Sequence, residues 1–195
     1  MNLGDHGAAV LAFQRAVGFP ANMCDGECGN DTLYRWRADN DPTLPWMLVR
    51  ALRLIGVITD YSMSNPGPHA NDCSGGVCLA LGISKGPDAL VHWWKNTTGI
   101  LRDAFAQDLE FHDVGPEDDL TGARPGDLLC YGGANGNVGH IAMVVDPRIK
   151  LVWDVSGSHD GAHVHDASYF WRKKVGRPVY CLRFVGPAAP MPLAA

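Results

Sequence analysis

Apolar residues at helical spacing are confined to the first half of this chain, and strand-like segments crowd the part beyond Pro125. Val10, Phe13, Gln14 and Val17 recur at helical intervals after Gly7, and Gly18-Phe19-Pro20 ends that run. Asp31 or Thr32 would cap a short second helix over 33–38. A third is expected over 46–57, with Leu48, Ala51, Leu52 and Ile55 as its apolar face. Residues 59–71 read as loop. Strands are expected over 127–131, 138–145, 150–155 and 179–185. Helices first and strands afterwards imply an α+β fold, in which helices pack on an antiparallel sheet, not an alternating βαβ chain. Pro42 and Pro45 mark a boundary between a small helical segment, 1–41, and a main domain, 46–185. The Pro- and Ala-rich residues 186–195 read as a disordered tail. Residues 84–124, with Trp93-Trp94 and Glu117-Asp118-Asp119, carry no clean period and suggest helices and loops around the core.

At 195 residues the chain can bury one good core with a small appendage. Its net charge of −5 argues against a general binder of nucleic acid or of anionic membranes. No apolar run approaches the roughly 20 residues of a membrane span, so no membrane insertion is expected. The N-terminal residues Met1-Asn2-Leu3-Gly4-Asp5-His6 show neither a basic nor an apolar leader, which implies synthesis in the cytoplasm. Of the six cysteines, Cys78, Cys130 and Cys181 lie in apolar segments and read as buried, reduced core residues. Cys24 and Cys28 flank Asp25-Gly26-Glu27, where a local disulfide and half of a metal site are both conceivable, the metal being the weaker idea.

The chemistry concentrates at Asn71-Asp72-Cys73-Ser74-Gly75-Gly76-Val77. An apolar helical run (Val77, Cys78, Leu79, Leu81) follows Cys73 directly. A cysteine at a helix N-terminus meets the positive end of the helix dipole and unpaired N–H groups, and both favour the nucleophilic thiolate. Two adjacent glycines weaken a helix, so here they are expected to serve close packing. Taken alone, Cys73 would be a buried structural cysteine.

Two later segments change that balance. His140 opens the apolar run Ile141-Ala142-Met143-Val144-Val145, and Asp154 lies within Leu151-Val152-Trp153-Asp154-Val155. A tight hairpin centred on Pro147 sets His140 directly opposite Asp154 on one face of the sheet. An imidazole and a carboxylate so placed make the orienting hydrogen bond of a general base. A one-residue slip of register would separate them.

These residues carry a resemblance. Asp72-Cys73-Ser74-Gly75, Pro125-Gly126-Asp127-Leu128 and Gly139-His140-Ile141-Ala142 resemble the NlpC-type papain-like cysteine peptidases of bacterial cell walls over about residues 46–185. The resemblance implies a nucleophile helix packed on a small antiparallel sheet. It implies catalytic Cys73, His140 and Asp154, with Asp154 where the family often has histidine. It implies substrate contacts from Tyr61, Asp72 and Ser74. Tyr61 stands where the family carries a tyrosine about twelve residues before the cysteine, although Ser62-Met63-Ser64-Asn65 replaces the usual Gly-Gly after it. The implied reaction is hydrolysis of an amide bond of the peptidoglycan stem peptide, of the D-glutamyl-diaminopimelate type, without cofactor or metal. The Cys73 N–H, with a side chain from the 61–72 loop, would hold the oxyanion. Leu3-Gly4-Asp5-His6-Gly7, Val10, Phe13-Gln14-Arg15, Asp25-Gly26, Gly29 and Thr32 more loosely resemble a peptidoglycan-binding repeat.

Such a protein would act at the bacterial wall as a phage lysin, or as an injected antibacterial effector with an immunity or delivery protein as partner. One rival is a zinc-dependent cell-wall peptidase using His159, His163 and His165, of which the last two share a face if they lie in a strand. The plainer reading of residues 156–166 is a polar, solvated loop. A second rival is a wall-binding module that has lost catalysis.

Overall fold

The computed structural model describes residues 3–63, 69–82, 97, 109–113, 120–132, 139–173 and 176–185. Three helices come first: α1 (Leu3–Ala16), α2 (Asn30–Asn40) and α3 (Trp46–Arg53), with a 3-10 turn at Ala21–Met23 between the first two. Two short strands, β1 (Asp60–Tyr61) and β2 (Ala70–Asn71), pair in parallel and lead into α4 (Cys73–Leu81). Among the described residues the further elements are β3 (Leu109–Asp113), β4 (Leu128–Tyr131), β5 (His140–Asp146), β6 (Leu151–Ser156), β7 (Gly161–Asp166), α5 (Ser168–Lys173) and β8 (Tyr180–Phe184). The fold is α+β. Six strands form one antiparallel sheet in the order β3-β8-β4-β5-β6-β7.

The sheet separates two apolar layers. On one face Met143, Trp153 and Val155 pack against Leu48, Leu52 and Ile55 and against Val77 and Leu81 of α4. Helix α3 ends at Arg53, short of the expected 57, yet the anticipated stripe, Leu48, Ala51 and Leu52 on the helix and Ile55 just past it, is fully buried, and each large side chain in it is worth about 1.5–3 kcal/mol of transfer free energy. On the other face Ala142, Val144 and Val152 pack against Phe170 and Trp171 of α5 and against Cys181. The N-terminal segment is docked on the first layer, since Phe19, Tyr34 and Ala38 belong to that same cluster.

Several elements differ from the sequence expectation. Helix α2 starts at Asn30 with Gly29 in the cap position, so no side chain caps it, and Asp31 lies inside the first turn, not before it. Its carboxylate instead accepts from Val164 N at 2.7 Å and contacts His163 Nδ1 at 2.7 Å, tying α2 to the outer edge of β7. Residues 156–166 are not a solvated loop. Asp160 (φ 56°) and Gly161 (φ 127°) turn the chain into β7, which pairs with β6 along its length. The region expected to be loop, 59–71, contains the β1–β2 pair. Residues 93–94, 117–119 and 186–195 lie outside the described residues. Among the described residues no helix is long and apolar enough to cross a membrane.

The Pro125-Gly126-Asp127 stretch has a structural explanation. Asp127 is buried and receives Arg183 Nε at 2.9 Å and Nη2 at 2.6 Å, a two-pronged bond joining the start of β4 to β8. Gly126 has φ 93°, and a side chain there would press on Met47 and Pro45.

Candidate functional site

Asp72 has extended backbone, and its carboxylate accepts from Gly75 N at 2.6 Å and from Ser74 Oγ at 2.8 Å, a side-chain N-cap. This cap fixes the first turn of α4 and holds Cys73 at its first position. Asp72 and Ser74, read from the sequence as substrate contacts, are thus engaged in building the helix start, and Ser74 is itself buried. A Cβ on Gly76 would lie 2.5 Å from Val155 Cγ2 and 3.1 Å from the Trp153 ring, so the second glycine lets α4 sit directly on β6. The two-glycine expectation is met by this close approach.

His140 and Asp154 meet, by a register different from the expected one. Met143 pairs with Trp153 and Val144 with Val152, with a bulge before the Asp146–Leu151 pair. The turn occupies the four residues 147–150, with Lys150 at φ 56°, instead of centring on Pro147. Continuing that register places His140 diagonal to Asp154, not opposite it. The shift is two residues, which preserves the face. His140 Nε2 lies 2.6 Å from Asp154 Oδ2. Nε2 is therefore committed to the carboxylate, and the hydrogen bond between His140 and Cys73 falls to Nδ1. Cys73, His140 and Asp154 are thus one connected set.

The set is largely shut off from water, with Asp154 fully buried and Cys73 only 6% exposed. Burial alone would push the His140 imidazole down. The Cys73 sulfur and the bonded Asp154 carboxylate outweigh it and carry the ring up to about 10. Burial would likewise push the Asp154 carboxyl up, and the two neighbouring imidazoles, His140 and His165, reverse this and hold it far below the usual carboxylate range. Tyr131 and Phe170, 4.9 Å apart, form an aromatic shelf beneath His140, whose ring centre is 5.6 Å from Phe170. Tyr61 lies beside Gly157 at the end of β6, within electrostatic reach of Cys73 and Asp154, and burial raises its phenol above the ordinary range.

His165 belongs to this connected set, although sequence reasoning did not pair it with Asp154. Its Nε2 lies 3.0 Å from Asp154 Oδ1, the carboxylate oxygen that His140 leaves unused. Its signal was the alternation His163-Val164-His165 after a turn at Asp160-Gly161, legible once that segment is a strand. His163 and His165 part company, since His163 is taken by Asp31. His159 stacks on His165 at 4.5 Å between ring centres and bonds to Ser156 Oγ at 3.0 Å through Nδ1. Burial first, then the neighbouring His165, lowers the His159 imidazole. Asp154, His159 and His165 are the described residues able to hold a metal ion together.

All six cysteines are free, and Cys24 Sγ donates to Phe19 O at 3.4 Å. Cys78, Cys130 and Cys181 are buried, as their apolar settings implied. In the N-terminal segment the buried Gln14 side chain binds Asp25, Glu27 O, Thr32 and Gly26 N, knotting the Asp25-Gly26 loop to α1 and α2. A cavity of about 360 Å³ opens between this knot and His163 and Val164 of β7.

No protein-family model matches the chain, and no curated protein matches it.

Proposed function

We propose that this protein is a papain-like cysteine hydrolase acting on the stem peptide of bacterial peptidoglycan. The observation that carries the reading is the connected set itself: a cysteine on a capped helix start, bonded to an imidazole whose far nitrogen lies 2.6 Å from a buried carboxylate. A nucleophile, a base and a group that orients the base are what acyl transfer requires.

Cys73 Sγ attacks the amide carbon, and the carbonyl electrons move onto oxygen. The Cys73 N–H at the start of α4 faces the developing oxyanion. His140, protonated, delivers its proton to the leaving amine, and the C–N bond breaks to leave a thioester on Cys73. His140 then takes a proton from water, whose oxygen attacks the thioester and releases the acid and the Cys73 thiolate, restoring the protonated ring. Asp154 holds the ring in place by its Nε2 and favours the imidazolium through both halves of the cycle.

The wall substrate, and the D-glutamyl-diaminopimelate type of bond, follow from the resemblance of the motifs. The N-terminal segment, with its Gln14-centred knot, would add affinity for the same polymer. The biological setting fits a lysin freed by a phage or an effector delivered into a competitor.

Clearance of purified sacculi separates this reading from its rivals. Iodoacetamide should abolish clearance and a chelator should not. Loss on chelation alone would favour metal catalysis. Sacculus binding without any clearance would favour a binding module.

A further inference from the structure

Asp154 Oδ1 and His165 Nε2 are both sealed from solvent and 3.0 Å apart, an ion pair when the ring is protonated and two facing lone pairs when it is neutral. The tautomer of His165 sharpens the point. Its Nδ1 faces the Asp166 carbonyl at 3.1 Å, and a carbonyl can only accept, so Nδ1 carries the hydrogen. In the neutral ring Nε2 then offers a lone pair towards a carboxylate lone pair. Buried polar atoms left unmatched in this way are costly. A proton on Nε2, or a metal ion between the two atoms, removes the cost.

The third partner is adjacent. One ligand atom each from Asp154, His159 and His165 lies within 4.8 Å of the others. His159 commits Nδ1 to Ser156 Oγ, which leaves Nε2 for a metal. Tetrahedral zinc, with ligands at about 2.0–2.2 Å, places neighbouring ligand atoms about 3.3–3.6 Å apart, so the Asp154–His165 pair at 3.0 Å needs to open by only a few tenths of an ångström. The outer contacts are also those of a metal site: each imidazole has its second nitrogen engaged, and the carboxylate has its second oxygen held by His140.

We propose that Asp154 Oδ1, His159 Nε2 and His165 Nε2 bind one divalent ion of the zinc type, with the fourth position left to water. Two imidazoles and one carboxylate suit zinc or cobalt and are poor ligands for calcium or magnesium, which take oxygen. The site differs from a cluster of the three histidines, because His163 is spent on Asp31 and Asp154 takes its place. Its existence does not depend on Cys73 being a nucleophile, although it would share the carboxylate that orients His140.

The test uses the full chain carrying Cys73→Ala, Cys24→Ser and Cys28→Ser, so that no thiol near the site or in the exposed loop competes for metal. After chelator stripping and dialysis, Zn²⁺ is titrated calorimetrically and Co²⁺ by visible absorption. One ion per chain is expected, with a Co²⁺ spectrum of tetrahedral intensity. His159→Ala and His165→Ala should each weaken binding at least about tenfold, while His163→Ala leaves it unchanged. Binding unaffected by His159→Ala, or a zinc Kd weaker than about 100 µM, overturns the site. His159 is only partly buried, so its variant decides the matter even if His165→Ala fails to fold. Sacculus hydrolysis plays no part in this readout, so failure of the metal site and failure of the peptidase reading are distinguishable.

Discussion

Replacing Asp154 with Asn tests how the buried carboxylate governs His140. The substitution keeps the shape and an oxygen that can accept from Nε2, but removes the charge 2.6 Å from the ring. Of the influences on His140, burial is the largest and opposes protonation, while the Cys73 sulfur and the Asp154 hydrogen bond and charge favour it. Removing the charge leaves burial with less opposition, so the ring must titrate at lower pH. A hydrogen bond to a charged partner is worth about 1.5–3 kcal/mol, and one pKa unit corresponds to about 1.36 kcal/mol, so the fall should be about 1–2 units. The assay is NMR titration of the His140 ring nitrogens in metal-free wild type and Asp154→Asn. In wild type the ring should stay protonated through neutral pH and titrate well above 6.5. The variant should titrate at least about 1 unit lower, with the alkaline limb of hydrolysis moving the same way. An unchanged or upward-shifted midpoint would refute the assignment of Asp154 as the group that sustains the imidazolium.

The same shifts set a stability profile. The raised His140 contributes stability fully below 6.5 and loses it as pH rises through its folded value near 10, and the depressed Asp154 contributes above 3.8 and loses it as pH falls below that. Urea midpoints should therefore fall on both the acid and the alkaline side, and more weakly so in Asp154→Asn. Gly76→Val should destabilise by about 1–3 kcal/mol or prevent folding, because its side chain meets Val155 and Trp153; an unchanged urea midpoint contradicts the packing of α4 on β6. Asp72→Ala should cost about 1 kcal/mol through loss of the cap, and should depress kcat by displacing Cys73. Asp31→Ala should lower stability by about 1–3 kcal/mol by leaving Val164 N unpaired, with protection from hydrogen exchange lost first along β7.

The apolar face of α3, the helix start at Cys73 and the four expected strands were legible because local periodicity and flanking turn residues determine them. The pairing of β5 with β6 was legible only in its parity. Side chains alternate every residue, so a two-residue error in the hairpin centre left His140 and Asp154 on one face. The bulge between Val144 and Asp146 and the left-handed Lys150 are choices of turn geometry that the apolar pattern does not encode. Strand β7 was hidden by its composition: an edge strand with two histidines and an aspartate reads as solvated loop. Its burial comes from partners distant in sequence, Asp31 in α2 and Asp154 in β6. Asp31 looked like a cap because short-range rules favour it there, and a tertiary contact with β7 claimed it instead. His165 was missed as a partner of Asp154 for the same reason.

The central claim is that Cys73 is the nucleophile of a peptidoglycan hydrolase. Mass spectrometry of the fragments released from purified Gram-negative sacculi, by wild type and by Cys73→Ala, tests it most directly. The account predicts stem-peptide fragments from the wild type alone, with masses that name the bond cleaved, and a Cys73→Ala protein that is folded and inert. Equal release by both proteins, or release by neither, would contradict it.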